Sequence, residues 1–487
     1  MLNLGLFIPE LILAATAVAV ILLDLFIQRK GALAIVSLVG LAISFASILF
    51  IPVSSTQAIF NGMLAVDGFA FFFKLLFLGI AALVILASTD YAHKFASFRG
   101  EYYALILLST LGMMLMAATR ELISIYIALE LTSISLYVLA GFLKDKKSTE
   151  ASLKYLLLGA ISSAILLYGM ALVFGSTGET QLVKIAEAVQ GMSLGAVSAN
   201  PALVVGIVLL VAGFGFKIAA FPFHMWVPDV YEGAPTPIVA FLSVGSKAAG
   251  FAVILRVFSS AFGTTEWLSI NWGIIFAVLA AIGMFLGNLT ALHQTNIKRM
   301  LGYSSIAQAG YIMVGLATMG VSSSDNILGQ SGVLFFLTGY ALANLGAFSA
   351  IIAISNKLDS DLIEDYSGMI KRAPVLTLAL SLCLISLIGM PPAAGFMAKF
   401  YIFSGAVQNG LLWLVIIAVL NSVISAYYYL RVVKVMWFGK PTSEERVPSS
   451  GALRLALAVS CLGVLLLGIV PSFVLNIAIS AARLFSG

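Results

Sequence analysis

The chain has 487 residues, 61% of them hydrophobic and only 10% charged, with a mean hydropathy of +1.09. These values exclude an ordinary soluble globular protein. The formal net charge of +5 is scattered over short polar segments, so it does not form the basic patch expected of a nucleic-acid binder.

Runs of about 20 apolar residues recur from one end to the other, each long enough to cross a hydrocarbon core of about 30 Å. The first, 6–26, lacks a basic leader and a small-residue cleavage site, and is expected to be a retained span rather than a signal peptide. In chain order the predicted transmembrane helices cover 5–27, 31–51, 66–89, 102–119, 121–143, 152–175, 202–227, 235–260, 269–292, 300–320, 330–355, 374–404, 408–437 and 453–482. The expected fold is an all-α polytopic membrane protein of about fourteen helices, with no room for a soluble domain between them.

The basic residues test that count. With the N-terminus outside, the cytoplasmic loops and adjoining span ends hold most of the 26 Lys+Arg, including Arg29, Lys30, Lys94, Lys144, Lys147, Lys298, Arg299, Lys371 and Arg372. The opposite side holds Arg120, Lys184 and Arg483. This bias follows the positive-inside rule and places both termini on the periplasmic or equivalent side.

Two spans carry internal prolines. The seventh contains Pro222, which removes a backbone donor and clashes with the preceding turn; the twelfth contains Pro391 and Pro392. Irregular backbone at membrane depth survives only where protein covers it or where it lines a wet cavity. The breaks lie five helices apart, an odd offset that reverses direction in the membrane. Helices 4–8 and 9–13 are therefore expected to form two inverted repeats around a midplane site, as in transporters. The implied divisions are 1–100 (three helices), 101–262 and 263–440 (the repeats) and 441–487 (helix 14).

Ionisable side chains inside these spans are the main functional signal, because a charge at the bilayer centre costs about 2.5–3.5 kcal/mol on insertion scales. Glu130, Lys154, Lys217, Lys247 and Lys399 all lie in long apolar stretches. Glu130 falls about 14 Å into helix 5, near the midplane. Lys217 is similarly deep, one turn before the first break, and is the natural partner of Glu130. A Lys–Glu pair that can be made and broken is a switchable proton site. Lys247 is flanked by small residues that permit close packing and point it into the bundle, and Lys399 follows the second break. Lys154 is either a member of the chain or an amine snorkelling to the interface. His224, within the first break, is either a proton relay or a cap for freed backbone. Lys74 and Arg256 read as anchors or structural charges.

Other chemistries lack support. Cys383 and Cys461 are too few for an iron–sulfur cluster, and neither is expected in a disulfide. No metal-ligand spacing, Walker loop or dinucleotide fingerprint is present. Any energy input is expected from an ion gradient or a partner.

Four segments carry a resemblance: Leu129-Glu-Leu-Thr-Ser-Ile-Ser-Leu-Tyr-Val-Leu139, Glu150-Ala-Ser-Leu-Lys-Tyr-Leu-Leu-Leu-Gly159, the stretch from Gly215-Phe-Lys through Pro222-Phe-His-Met-Trp-Val-Pro-Asp-Val-Tyr-Glu-Gly-Ala-Pro235, and Gln294-Thr-Asn-Ile-Lys-Arg-Met-Leu-Gly-Tyr-Ser-Ser305. With them the chain resembles the antiporter-like membrane subunits of respiratory complex I, the proton-pumping NADH–quinone oxidoreductase. The resemblance implies proton-handling roles for Glu130, Lys154, Lys217, Lys247 and Lys399. It also implies membrane-arm partner subunits and a bacterial inner-membrane location. NAD, FMN, iron–sulfur clusters and quinone are implied in partner subunits, and no cofactor on this chain. A stand-alone or Mrp-type cation/proton antiporter is the alternative with the same helix pattern.

Overall fold

A computed structural model describes residues 4–28, 30–51, 57–95, 98–192, 200–263, 266–319, 327–441 and 443–483; Arg29 lies outside them. Helices α1 (Ile8–Phe26), α2 (Gly31–Leu49) and α3 (Gly68–Ser88) form an N-terminal group, with a short hairpin of β1 (Gln57–Ile59) and β2 (Leu64–Val66) before α3. There follow α4 (Arg99–Ala118), α5 (Leu122–Ala140), α6 (Lys146–Thr177), the short amphipathic α7 (Leu182–Gln190), α8 (Pro201–Ile218), α9 (Trp226–Gly233) and α10 (Thr236–Phe262). The rest are α11 (Glu266–Ala291), α12 (Ile297–Met319), α13 (Leu328–Leu358), α14 (Pro374–Ile388), α15 (Ala394–Gln408), α16 (Leu412–Phe438), α17 (Gly451–Ile469) and α18 (Ser472–Ala482).

Among the described residues, 12 helices are long and apolar enough to cross a membrane. The less apolar α12 and the interrupted α14–α15 rod supply the other two expected crossings. Burial divides the rods by role. The most apolar stretch of α10 is 100% buried and that of α13 89%, whereas those of α1, α2, α6 and α16 are 39% buried. The outer helices show Leu, Ile, Val and Phe to the surroundings, which suits lipid as the solvent.

Both proline-bearing spans are broken. Helix α8 ends at Ile218 and Ala219 turns left-handed at φ +59; α14 ends at Ile388 and Gly389 follows at φ +92. The Phe221–Pro222 and Pro391–Pro392 peptides are cis. Carbonyls that lose their helical partners at these ends must find others. Phe216 O accepts from the Trp226 indole at 3.1 Å, and Ile388 O accepts from the Lys399 amine at 2.8 Å.

Two rods differ from expectation. Helix α6 begins at Lys146 rather than 152, because the Asp145 side chain caps it, accepting from the Ser148 amide at 2.7 Å. The last expected rod is two helices, since Pro471 has no N–H and Val470 leaves helical geometry at ψ +69. At that kink Gly468 lies on the Pro392 carbonyl with no space for a Cβ, so the last rod seats on the second break. The segment after α16 is tied back by Lys357–Glu445 at 2.7 Å, and the hydrogen bond from this amine holds the Glu445 carboxyl below its ordinary range.

Candidate functional site

The three deep amines, Lys217, Lys247 and Lys399, are 4%, 1% and 5% exposed. Each sits where local sequence makes an opening. Lys217 is in the last turn of α8 before the break. Lys247 follows a π-helical turn, Leu242–Ser246, inside α10; such turns recur at functional sites because they release one backbone bond. Lys399 is in the second turn of α15, after the other break.

None of the three has a carboxylate within ion-pair distance among the described residues. The Lys217 amine donates to the Ser133 hydroxyl of α5, which bonds back to Leu129 O. Ser133 lies one turn from Glu130, the partner expected from sequence. Glu130 is half-buried, and its Oε1 is buried with no protein partner. The geometry thus places a hydroxyl on the amine and leaves a carboxylate oxygen one turn away. The Tyr137 ring lies 5.8 Å from the amine.

Lys247 donates to Ser305 of α12, to the carbonyl at 2.5 Å and to the hydroxyl. The same hydroxyl lies 2.9 Å from Tyr231 OH and 3.2 Å from Tyr340 OH. Helices α8 and α10 approach closely at Gly250, where a Cβ would stand 3.3 Å from Lys217 Cβ. Lys399 donates to Ile388 O at 2.8 Å and Ser422 Oγ at 3.0 Å, above the Tyr311 ring at 4.2 Å.

Near these two amines lie further buried polar atoms without a hydrogen-bond partner: Tyr137 OH, on the ring beside Lys217, Tyr155 OH, on the ring against Tyr137, and Ser246 Oγ, next in sequence to Lys247. The Tyr137 and Tyr155 rings meet edge to face at 4.6 Å, and Tyr155 stacks on Trp226 at 4.5 Å. Buried polar atoms are nearly always paired, with water where protein does not serve. Orphan hydroxyls beside two buried amines are therefore a place for water.

Lys154 and His224 are placed differently. The Lys154 side chain is 43% exposed and pairs with Asp229 at 2.8 Å and Glu150 at 2.9 Å. It is not one of the deep amines; its position in an apolar run concealed that it faces α9. Arg299, opening α12, joins Asp229 at 2.7 Å and Glu232 at 3.0 Å. This network borders a polar basin of about 630 Å³ that also reaches Lys298, Asp361 and Thr236. His224 is half-buried in the first break, with a buried Nδ1 lacking a partner.

Sequence reasoning missed the hydroxyls that serve the amines, because serines in apolar helices read as packing residues. It also missed two buried carboxylates. Asp67 grips Arg256 through both oxygens at 2.9 and 3.0 Å, and Glu10 holds Lys74 at 2.5 Å. A carboxylate in the first apolar run and a capping Asp before the third were the available signals. Among the described residues no three His, Cys, Asp or Glu side chains are grouped to hold a metal ion, and both cysteines are free thiols.

Comparison with known proteins adds to this geometry. A family model described as NADH:quinone oxidoreductase/Mrp antiporter, TM, matches residues 119–425. The chain is 50% identical over 483 residues to NADH-quinone oxidoreductase subunit N of Dehalococcoides mccartyi, covering 99% of each. Its fold matches a chain in the structure of respiratory complex I from Thermus thermophilus with bound aureothin, with a TM-score of 0.79 and 34% identity, over 96% of this chain and 98% of that one. A chain of the Mrp complex from Dietzia sp. matches with a TM-score of 0.83 at 20% identity, over 99% of this chain and 97% of that one, a likeness of fold.

Proposed function

The chain belongs to the NADH:quinone oxidoreductase/Mrp antiporter family and is a proton-translocating membrane-arm subunit of an NADH–quinone oxidoreductase; from that premise we propose that the buried amines Lys217, Lys247 and Lys399 carry its protons. The observation that supports this most directly is the chemistry of their seats. Each amine rests on serine hydroxyls or carbonyls, not on a carboxylate. An ammonium locked to a carboxylate keeps its proton, whereas one held by neutral acceptors away from bulk solvent can pass it on.

Glu130 serves as the adjustable charge. Moved toward Lys217, the carboxylate favours the protonated amine; withdrawn, it lets the proton go to Lys247 through water at Tyr137, Tyr155 and Ser246. Lys399 is the last amine. Lys154 acts at the cytoplasmic side, where its network with Asp229 and Arg299 holds α6, α9 and α12 together beside the basin. His224 serves the first break, as a relay or as a cap.

The wider arrangement follows. The chain sits in the membrane with other membrane-arm subunits, and both termini face outward, as the basic residues suggest. The segments 101–262 and 263–440 act as inverted repeats about the two breaks, after an N-terminal group, 1–100, and before helix 14 at 441–487. Reduction of quinone with electrons from NADH, through FMN and iron–sulfur clusters in other subunits, drives the cycle.

The test is a Lys217→Ala substitution in the whole complex, read as protons moved per NADH oxidised in sealed membrane vesicles. A fall of tenfold or more in the contribution of this subunit is expected. A normally assembled variant with the full ratio refutes the reading. Sodium-dependent proton flux by the chain without its redox partners would favour the antiporter alternative.

A further inference from the structure

We propose that Asn288 is the positioning residue of a tyrosine relay that carries protons between Lys247 and Lys399, a role that rests on the amine-row reading above. Helix α12 serves both amines. Ser305 seats Lys247 and, two turns on, Tyr311 lies under Lys399. On the same helix, Ser304 meets the Tyr429 hydroxyl, and Gln308 donates to Leu387 O at 2.9 Å and toward Tyr429 OH at 3.5 Å.

From Tyr429 the polar string turns through its neighbour on α16. The rings of Tyr428 and Tyr429 are 4.3 Å apart. Tyr428 OH donates to Asn288 Oδ1 at 3.0 Å, and Asn288 Nδ2 donates to Tyr311 OH at 3.2 Å. The amide orientation is set by chemistry. Nδ2 also faces the backbone carbonyl of Asn421 at 3.2 Å, a group that can only accept. Oδ1 must then face Tyr428. At rest the string therefore has one sense: Tyr428 gives to the amide, the amide gives to Tyr311, and the Tyr311 hydroxyl is left to donate toward Ser422, which accepts from Lys399 at 3.0 Å.

A clasp between α11 and α16 would need only the Asn288–Asn421 contact. Two tyrosine hydroxyls aligned head to tail across one amide, all fully buried, go beyond a clasp. In the relay a proton leaves the Lys247 ammonium for the Ser305 cluster as that cluster passes one on. Tyr429 takes it up. The Tyr428 hydroxyl turns from Asn288 Oδ1 to a bridging water, gives that water its proton and takes one from Tyr429. The water gives one to Tyr311, and Tyr311 gives its own through the Ser422 hydroxyl, 3.0 Å from Lys399, to the neutral amine, so every O–H bond broken is matched by one formed. Asn288 keeps both its amide protons; its contacts with the Tyr428 and Tyr311 hydroxyls hold the two close enough for one water to bridge them when Tyr428 turns.

The experiment uses the complete complex in sealed vesicles and reads protons moved per NADH oxidised. Asn288→Leu and Tyr428→Phe are each expected to lower the ratio at least threefold in the contribution of this subunit. Asn288→Asp supplies the readout that a structural role would not move. A carboxyl in an apolar site holds its proton to a higher pH than one in water. A neutral acid donates to Tyr311 as the amide does and an ionised one cannot, so the ratio relative to the native chain should be higher at about pH 6 than at about pH 8. Lys399→Ala is measured alongside. If it lowers the ratio while Tyr428→Phe and Asn288→Leu keep it full, the relay is refuted and the amine row stands. If Lys399→Ala keeps the full ratio, the amine row itself falls. Should Asn288→Leu fail to assemble, a full ratio in Tyr428→Phe overturns the relay.

Discussion

Replacing Asp67 by Ala isolates what the buried Arg256 pair does for the bundle. Asp67 and Arg256 have side chains 2% and 1% exposed, joined by two hydrogen bonds at 2.9 and 3.0 Å. Removing one partner of such a pair leaves an uncompensated charge, at a cost of about 3–5 kcal/mol. Asp67 is also the N-cap of α3, accepting from the Ala70 amide at 2.8 Å, and loss of a cap adds about 1 kcal/mol. The expected total is about 4–6 kcal/mol. Replacing both residues, Asp67→Leu with Arg256→Met, removes the charge along with its partner and should recover most of the pair's share, though not the cap. The assay is denaturant-driven unfolding of the purified complex, followed by release of this chain, for Asp67→Ala and the double variant. A loss below about 1 kcal/mol for Asp67→Ala, or a double variant no better than the single, would show that the charge is solvated in the native bundle and refute the reasoning. Because Arg256 lies on α10 with Lys247, the destabilised single variant should also lower proton transfer.

Two further outcomes follow from the site. Gly389→Ala should lower both stability and proton yield, because Gly389 has φ +92 and a Cβ there would stand 2.9 Å from Lys399 Cδ; the backbone share alone is about 1–2 kcal/mol, and full thermal stability with full proton yield would contradict it. Lys154→Met should change stability by less than about 1 kcal/mol, since its ion pairs are partly exposed; a thermal shift as large as that of Asp67→Ala would mean the network is buried in the assembled complex.

Much of this protein was legible in one dimension because lipid is an unforgiving solvent. A span must be apolar over about 20 residues, so rods, their number and the deep amines stood out against the background. Prolines 222 and 391 marked the breaks for the same reason: no other residue so reliably ends a helix. Where sequence fell short, the missing information was direction. Lys154 and Lys217 look alike in a hydropathy trace, yet one faces α9 and a polar basin and the other faces a serine in a closed core. Asp145 lengthened α6 through a side-chain cap that periodicity does not register, and Pro471 split the last rod.

Composition and pattern alone therefore determined that this is a many-helix membrane protein with titratable groups at depth. They did so because burying backbone and charge in hydrocarbon constrains every residue of a span. Only the tertiary structure decided which groups meet: a hydroxyl rather than a carboxylate on Lys217, Ser305 and two tyrosines around Lys247, a freed carbonyl under Lys399, and Asp67 on Arg256. Those contacts join residues from 11 to 189 positions apart, and their geometry depends on how neighbouring rods are rotated and how closely glycines let them approach, which a single chain of letters does not encode locally.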